Sequence, residues 1–287
     1  MPLSLDERWR TRELSHSLEA VWRAHRADAV PGIEVQALAE VDSTNTRLLE
    51  ASRNDAAPHL RLMVAQAQTA GRGRLGRAWQ TTAGASLAFS LAVPIAPEAA
   101  SSLVVGAAVA DALEPPDSIN NDQPRVTLKW PNDVWLRDPS SPFGGRKLGG
   151  ILLETAATPA GRVLVVGIGL NLRVVTPLLF PHPAPVYGVA ALDEVDTGID
   201  GPRLLSRVAP AVLAALLRRE ADAAWRESWA RRDLLAGRRI EAGTAHQHLT
   251  GIARGIDDDG ALRVQRDDGG QIVAISSGEV SVRPLPG

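Results

Sequence analysis

Apolar positions 14, 18, 21 and 22 recur at helical spacing near the start of the chain, and the pattern stops at Pro31 and Gly32. Residues 33–41 then read as a strand. It is closed by Asp42, Ser43, Thr44 and Asn45, a cluster that caps a predicted helix over 46–53 whose Leu48 and Leu49 face a core. Strands are predicted over 61–67 and 86–93, on either side of a Gly-rich stretch, and an Ala- and Val-rich buried helix over 97–113. Short strands over 125–130 and 134–137 flank a Pro-Asn-Asp turn, and residues 140–145 form a turn or mobile loop. Two apolar strands follow over 148–154 and 163–170, joined by a hairpin signal at 158–161. Residues 176–201 are Pro-rich and loop-like, and 203–219 and 221–235 read as helices.

From residue 237 the texture changes to short β-like runs broken by Gly255, Gly260 and Gly270 at near-regular spacing. That stretch is too short for a sandwich and about right for an SH3-like barrel. The fold class predicted is α+β: a mixed, mostly antiparallel sheet flanked by helices, with a small C-terminal SH3-like β-barrel. The corresponding organisation is a helical extension over 1–32, a large domain over 33–236 and the barrel over 237–287.

Composition narrows the chemistry. The 287 residues are 45% hydrophobic and 22% charged, with a net charge of −2, so a general nucleic-acid coat is not expected. The absence of Cys removes disulfides, thiolate metal sites and Cys nucleophiles. No run has the length of a membrane span, and the charged start lacks a signal peptide's apolar stretch, so a soluble, cytoplasmic protein is expected. Of 31 basic residues only two are Lys, namely Lys129 and Lys147. In a chain that otherwise uses Arg wherever a positive charge suffices, a surviving Lys points to a place where a compact ammonium matters.

Four segments carry candidate chemistry. The stretch from Gln68 to Trp79 holds Gly71, Gly73 and Gly76 interleaved with Arg72, Arg74 and Arg77. A dinucleotide-binding turn has to open a helix, whereas this one leads toward a strand. What remains is a backbone loop with several guanidinium groups, suited to an anion and above all to a phosphate. Next, Lys129, Trp130, Pro131, Asn132 and Asp133 place an amide and a carboxylate at a strand end. Asp133 beside a phosphate loop is able to hold Mg2+, or with Asn132 simply to cap a turn. The third segment sets Lys147 between Gly144, Gly145, Gly149 and Gly150 at the entry to an apolar strand ending at Glu154. The fourth is a strand with Gly167 and Gly169 that ends on Asn171, where something packs against backbone. No His cluster has ligand spacing and no Ser sits in a nucleophile elbow. Together these suggest phosphoryl or nucleotidyl transfer driven by positioning and charge neutralisation.

In order and spacing, these motifs resemble the biotin–protein ligases. The resemblance runs over residues 34–285 and includes a final stretch ending at Arg283 that is similar to that family's C-terminal barrel. It implies activation of biotin by ATP to biotinyl-5′-AMP, then transfer to a Lys of the biotin carboxyl carrier domain of acetyl-CoA carboxylase or a related enzyme. By motif position it implies a biotin site of Ser43, Thr44, Asn45, Gln68, Arg72, Gly73, Arg74, Lys147, Gly149 and Gly150. Nucleotide contacts would come from Trp79, Asn132, Asn171 and Arg283, and catalysis from Lys147, Arg74, Arg77 and Asp133, with Asp133 holding Mg2+ or helping the incoming amine. Larger family members carry an N-terminal winged helix-turn-helix. Residues 1–32 lack its pattern, so a ligase without DNA binding is expected. The lipoate–protein ligases are the nearest alternative, followed by a non-catalytic biotin or nucleotide sensor.

Overall fold

The computed structural model describes residues 3–26, 29–57, 59–119, 123–174, 186–218, 224–243, 248–278 and 280–286. Two helices, α1 (Leu5–Trp9) and α2 (Thr11–His25), lead into β1 (Gly32–Val41), α3 (Thr44–Arg53), β2 (His59–Gln68) and β3 (Ser86–Val93). Then come α4 (Ser101–Leu113), β4 (Val126–Lys129), β5 (Asp133–Arg137), β6 (Gly145–Thr158) and β7 (Gly161–Asn171), followed by α5 (Gly201–Arg218) and α6 (Ala224–Arg232). Strands β1 to β7 form one seven-stranded sheet in the order β1-β2-β3-β7-β6-β5-β4. Only the β1–β2 pair is parallel, and α3 is the crossover that makes it so.

The two faces of this sheet differ, and strand alternation shows how. Along β7, Leu164, Val166, Ile168 and Leu170 join the main core, which also takes in α2, α4, α5 and α6. The intervening Val163 and Val165 join a smaller cluster with Leu48 and Leu49 of α3. Further along that same face stand Gly167 and Gly169. On β3, Leu87, Phe89, Leu91 and Val93 face the main core, whereas Ala92 packs beside α3 and Ser90 lies on the α3 face. One face is therefore closed by a helical layer. The other is half covered by α3 and then runs into glycines that leave it bare.

Boundaries shift for local reasons. The helix expected from residue 46 begins at Thr44, because Ser43 is the N-cap and its side chain accepts from the Thr46 amide. The helix expected from 97 begins at Ser101, after a turn in which Ser101 Oγ accepts from the Glu98 amide. Residues 1–32 are not set apart from the large domain. Trp9, Leu14, Leu18 and Trp22 are buried in its main core, and a Cβ on Gly201 would lie 2.9 Å from the Trp9 ring. The segment 176–185 and the joint between the last two helices, 219–223, lie outside the described residues.

Strands β8 (Arg239–Gly243), β9 (His248–Ile256), β10 (Leu262–Arg266), β11 (Ile272–Ile275) and β12 (Ser281–Pro284) form a five-stranded antiparallel sheet, the small SH3-like barrel expected. It is fastened to the large domain. The Trp130 indole donates to the Gly260 carbonyl at 3.0 Å, and Gly260 combines a φ of +78° with an approach to Leu103 that a Cβ would close to 2.8 Å.

Candidate active site

The bare glycine face is roofed by the Gly/Arg loop. Gly73 N–H donates to the Arg77 carbonyl at 2.7 Å and Trp79 N–H to the Gly71 carbonyl at 2.8 Å, so the loop folds as a small hairpin. Its turn runs over Arg74–Gly76, with Leu75 and Gly76 both at positive φ. The hairpin lays the Trp79 ring on the floor: a Cβ on Gly169 would be 2.3 Å from the ring, and one on Gly150 would be 3.5 Å from it. Gly150 and Gly169 are themselves cross-strand partners in the β6–β7 ladder. The buried Trp79 indole N–H has no acceptor among the described residues.

Both lysines of the chain converge on one carboxylate. Lys147 Nζ donates to Asp133 Oδ1 at 2.6 Å, and Lys129 Nζ donates to Asp133 Oδ2 at 3.4 Å. Register explains the meeting: Lys129 and Asp133 are partners across the β4–β5 hairpin, and Lys147 pairs with Trp135, two residues along β5 from Asp133, across an irregularity in the β5–β6 ladder. Burial alone pushes the Asp133 carboxyl up, but the two ammonium groups outweigh it and hold the group well below the usual carboxylate range. Burial pushes the Lys129 ammonium down, against the pull of Asp133. Lys147 is less enclosed. Its Nζ lies 5.8 Å from the Trp79 ring centroid, at the edge of the glycine floor.

A buried polar network lines the other end of the site. Thr44 N–H donates to Gln68 Oε1 at 2.8 Å, Thr44 Oγ1 lies 2.8 Å from Ser90 Oγ, and Ser90 Oγ donates to Asn45 Oδ1 at 2.8 Å. Asn45 Nδ2 donates to Glu154 Oε2 at 2.8 Å, and the same oxygen accepts from Arg72 Nη2 at 2.8 Å. Ser43 is buried beside these groups as the α3 N-cap.

The loop's other arginines reach the barrel. Arg74 donates to the carbonyls of Ser277 and Gly278 and, at 3.3 Å, to Asn132 Oδ1; burial pushes its guanidinium below its usual value. Arg77 donates to Ser281 Oγ at 3.5 Å. Arg283 is exposed and lies two residues beyond Ser281, on the same face of β12. Asn132 Nδ2 donates to the Ile151 carbonyl at 2.6 Å, and the Asn171 amide holds the Ala190 carbonyl at 3.0 Å beside Lys147. Next to Lys147, Arg146 bonds both Asp138, which closes the base of the 140–145 loop, and Glu194.

Comparison with known proteins agrees with this geometry. Residues 37–171 match the biotin/lipoate A/B protein ligase family, and residues 236–283 match the biotin protein ligase C-terminal domain. The biotin–[acetyl-CoA-carboxylase] ligase of Mycobacterium tuberculosis is 33% identical over 258 residues, covering 86% of this chain and 88% of its own. The chain belongs to the biotin protein ligase family. The bifunctional ligase/repressor BirA of Escherichia coli is also 33% identical, over 88% of this ligase and 75% of its own length. Among solved structures, the biotin protein ligase of Aquifex aeolicus in complex with biotin and ATP has a TM-score of 0.65 at 28% identity, covering 88% of this chain and 99% of that one.

Three residues of the candidate site lie outside the sequence-based assignment. Lys129 carried a signal in its rarity and Glu154 in closing the Lys147 segment, whereas Ser90 is an ordinary polar residue in a strand and carried none. The expectation that Asp133 holds Mg2+ does not fit its surroundings. Each of its oxygens faces a lysine ammonium, whose charge opposes a cation there. No helix among the described residues is long and apolar enough to cross a membrane.

Proposed function

We propose that this ligase joins biotin to ATP, giving biotinyl-5′-AMP and pyrophosphate, and then transfers the biotinyl group to a Lys of a biotin carboxyl carrier domain in the cytoplasm. The observation that carries the reading is the Lys147–Asp133 pair at the edge of a glycine floor under Trp79. In the first step a biotin carboxylate oxygen attacks the α-phosphorus, the new O–P bond forms, and the bond to pyrophosphate breaks with its electrons. Two anions have to approach each other. Lys147 is held at the floor by Asp133, so its ammonium needs little reorganisation to neutralise the charge gathering on the carboxylate and the phosphorus oxygens. Arg74 and Arg77 add positive charge from the loop, and the loop shields the mixed anhydride from water.

In the second step the carrier's amine attacks the anhydride carbonyl. The C–N bond forms, the C–O bond to phosphate breaks, AMP leaves with the electron pair, and the proton lost by the nitrogen passes to the departing phosphate or to solvent water. Asp133, kept ionised and far below the usual carboxylate range, is a weak base. Its part is to hold Lys147 in place. Since each Asp133 oxygen already faces a lysine ammonium, whose charge opposes a cation there, we assign it no metal; Mg2+ would enter with the nucleotide's phosphates, which supply its oxygen ligands. Ser43, Thr44, Asn45, Gln68, Gly149 and Gly150 would surround the biotin bicycle, and Trp79, Asn171 and Arg283 the adenylate.

Exchange of labelled pyrophosphate into ATP tests this, with biotin and lipoate supplied separately, followed by transfer to a carrier domain. Biotin-dependent exchange and labelling of the carrier Lys are expected. Exchange with lipoate alone would reassign the substrate, and binding of biotin with no exchange would refute the enzymatic reading.

A further inference from the structure

We propose that Arg146 is a positioning residue for the first step: by clamping the segment 187–194 onto β6 it fixes the main chain of Lys147, and with it the ammonium that neutralises the two anions. The inference rests on the biotin reading above and deepens it, by saying what holds that ammonium where it acts.

Lys147 sits at a weak place in the sheet. The β5–β6 register slips beside it: Val134 pairs with Gly149 and Trp135 with Lys147, so Leu148 is an extra residue. A bulge of this kind re-aims side chains and interrupts the ladder. On the other side of β6, pairing with β7 starts only at Gly149, opposite Leu170. The place that β7 leaves open is taken by the segment 187–194, which forms a strap. Lys147 N–H donates to the Gly188 carbonyl at 3.3 Å, and Ala190 N–H donates to the Lys147 carbonyl at 2.8 Å. Both backbone groups of the lysine are thus bonded to the strap.

Arg146 fastens that strap. Its Nη2 and Nη1 donate to Glu194 Oε2 at 2.6 Å and Oε1 at 3.1 Å, Nη1 also to the Val189 carbonyl at 3.1 Å, and Nε to Asp138 Oδ2 at 2.9 Å. Glu194 returns the hold, since its Oε1 accepts from the Ala191 amide at 2.9 Å. Burial pushes the Glu194 carboxyl up, but Arg146 and the Ala191 amide outweigh it, so the partner is an anion at neutral pH. Gly188 meets the clamp closely: it has a φ of +72°, and a Cβ there would lie 3.3 Å from the Arg146 side chain. Arg146 itself stays off the ligand side. Successive side chains on a strand alternate, and its β5 partner Leu136 belongs to the main core, whereas Lys147 turns to Asp133. Its effect on the reaction passes through the strap to Lys147.

A double-mutant cycle in pyrophosphate exchange on the full chain tests this, with Arg146→Met and Glu194→Gln each made alone and combined with Lys147→Ala. Both side chains of the clamp are 29% exposed, so its loss perturbs the strap without opening the core. Arg146→Met alone is expected to lower kcat about tenfold or more, because a loosened ammonium has to be reorganised at each turnover. The biotin KM stays within about twofold of wild type, since the polar network lies at the other end of the site. Glu194→Gln keeps the side chain's size and shows the same split with a smaller loss. With Lys147→Ala in place there is no ammonium left to position, and adding Arg146→Met lowers the residual exchange by less than about twofold. A merely structural role would lower exchange by the same factor in both backgrounds, and that result overturns the proposal. So does a wild-type kcat in Arg146→Met, or a loss that appears mainly in the biotin KM. If Arg146→Met does not fold, the cycle with Glu194→Gln decides in the same way. A wild type without biotin-dependent exchange refutes the functional reading and this inference with it.

Discussion

Replacing Asp133 by Asn removes one charge from the most enclosed ionic cluster of the site while keeping the side chain's shape. In the native protein the carboxylate faces two ammonium groups, at 2.6 and 3.4 Å, and Lys129 is only 5% exposed. The introduced amide would turn its carbonyl to one lysine and its NH2 to the other, leaving a buried ammonium without a counter-ion. Removing one partner of a buried pair costs about 3 to 5 kcal/mol, which for a chain of this size lowers the melting temperature on the order of 10 °C. The deficit also depends on pH in a defined direction. Burial already pushes the Lys129 ammonium below its usual value, and Asp133 opposes that push, so without the carboxylate the folded-state value falls further. A group whose folded value lies below its unfolded value near 10.4 binds fewer protons when folded. Stability then drops as pH falls below that unfolded value. Urea unfolding at pH 7 and pH 9 should therefore show the variant far less stable than wild type at pH 7, with the gap narrowing at pH 9. Equal midpoints for the two proteins, or a gap that is the same at both pH values, would refute the reasoning.

Other perturbations test other parts of the structure. Lys147→Ala leaves Asp133 paired with Lys129, so it should destabilise less than Asp133→Asn while lowering biotin-dependent pyrophosphate exchange by about a hundredfold to a thousandfold. Gly169→Ala places a methyl where the Trp79 ring lies, 2.3 Å away, and should lower kcat/KM for biotin on the order of a hundredfold by displacing the roof of the site. A wild-type value would show that Trp79 need not rest on this floor. Arg232→Met removes the counter-charge of two carboxylates, since the fully buried guanidinium bonds Asp111 at 3.2 Å and Glu114 at 2.9 Å. A loss of about 3 to 5 kcal/mol is expected in denaturant unfolding.

Local signals in the chain determined a good deal. Alternating apolar positions located β1 to β7 to within a few residues, because each strand has one face in the main core and repeats with period two. Ser43 next to a helical pattern marked the start of α3, since a hydroxyl there satisfies an otherwise unpaired amide. Three glycines interleaved with three arginines over 71–77 marked the loop that roofs the glycine floor, and the scarcity of Lys picked out both residues that flank Asp133.

What only the tertiary structure decided is which of these features meet. Lys147 reaches Asp133 through the register of β5 on β6, and a shift of one residue would turn its side chain to the other face of the sheet. Glu154 and Ser90 gain their significance from α3 crossing that same face and placing Asn45 between them. Residues 1–32 looked like an appendage, because burying two Trp and two Leu depends on α5, far along the chain, as well as on the neighbouring β1. Arg74 meets carbonyls more than 200 residues away, across the join between the large domain and the barrel. Periodicity is a property of neighbours in sequence and is legible there. Counter-ions, buried hydrogen-bond partners and the bare patch beneath Trp79 are properties of neighbours in space, and exist only once the sheet is assembled.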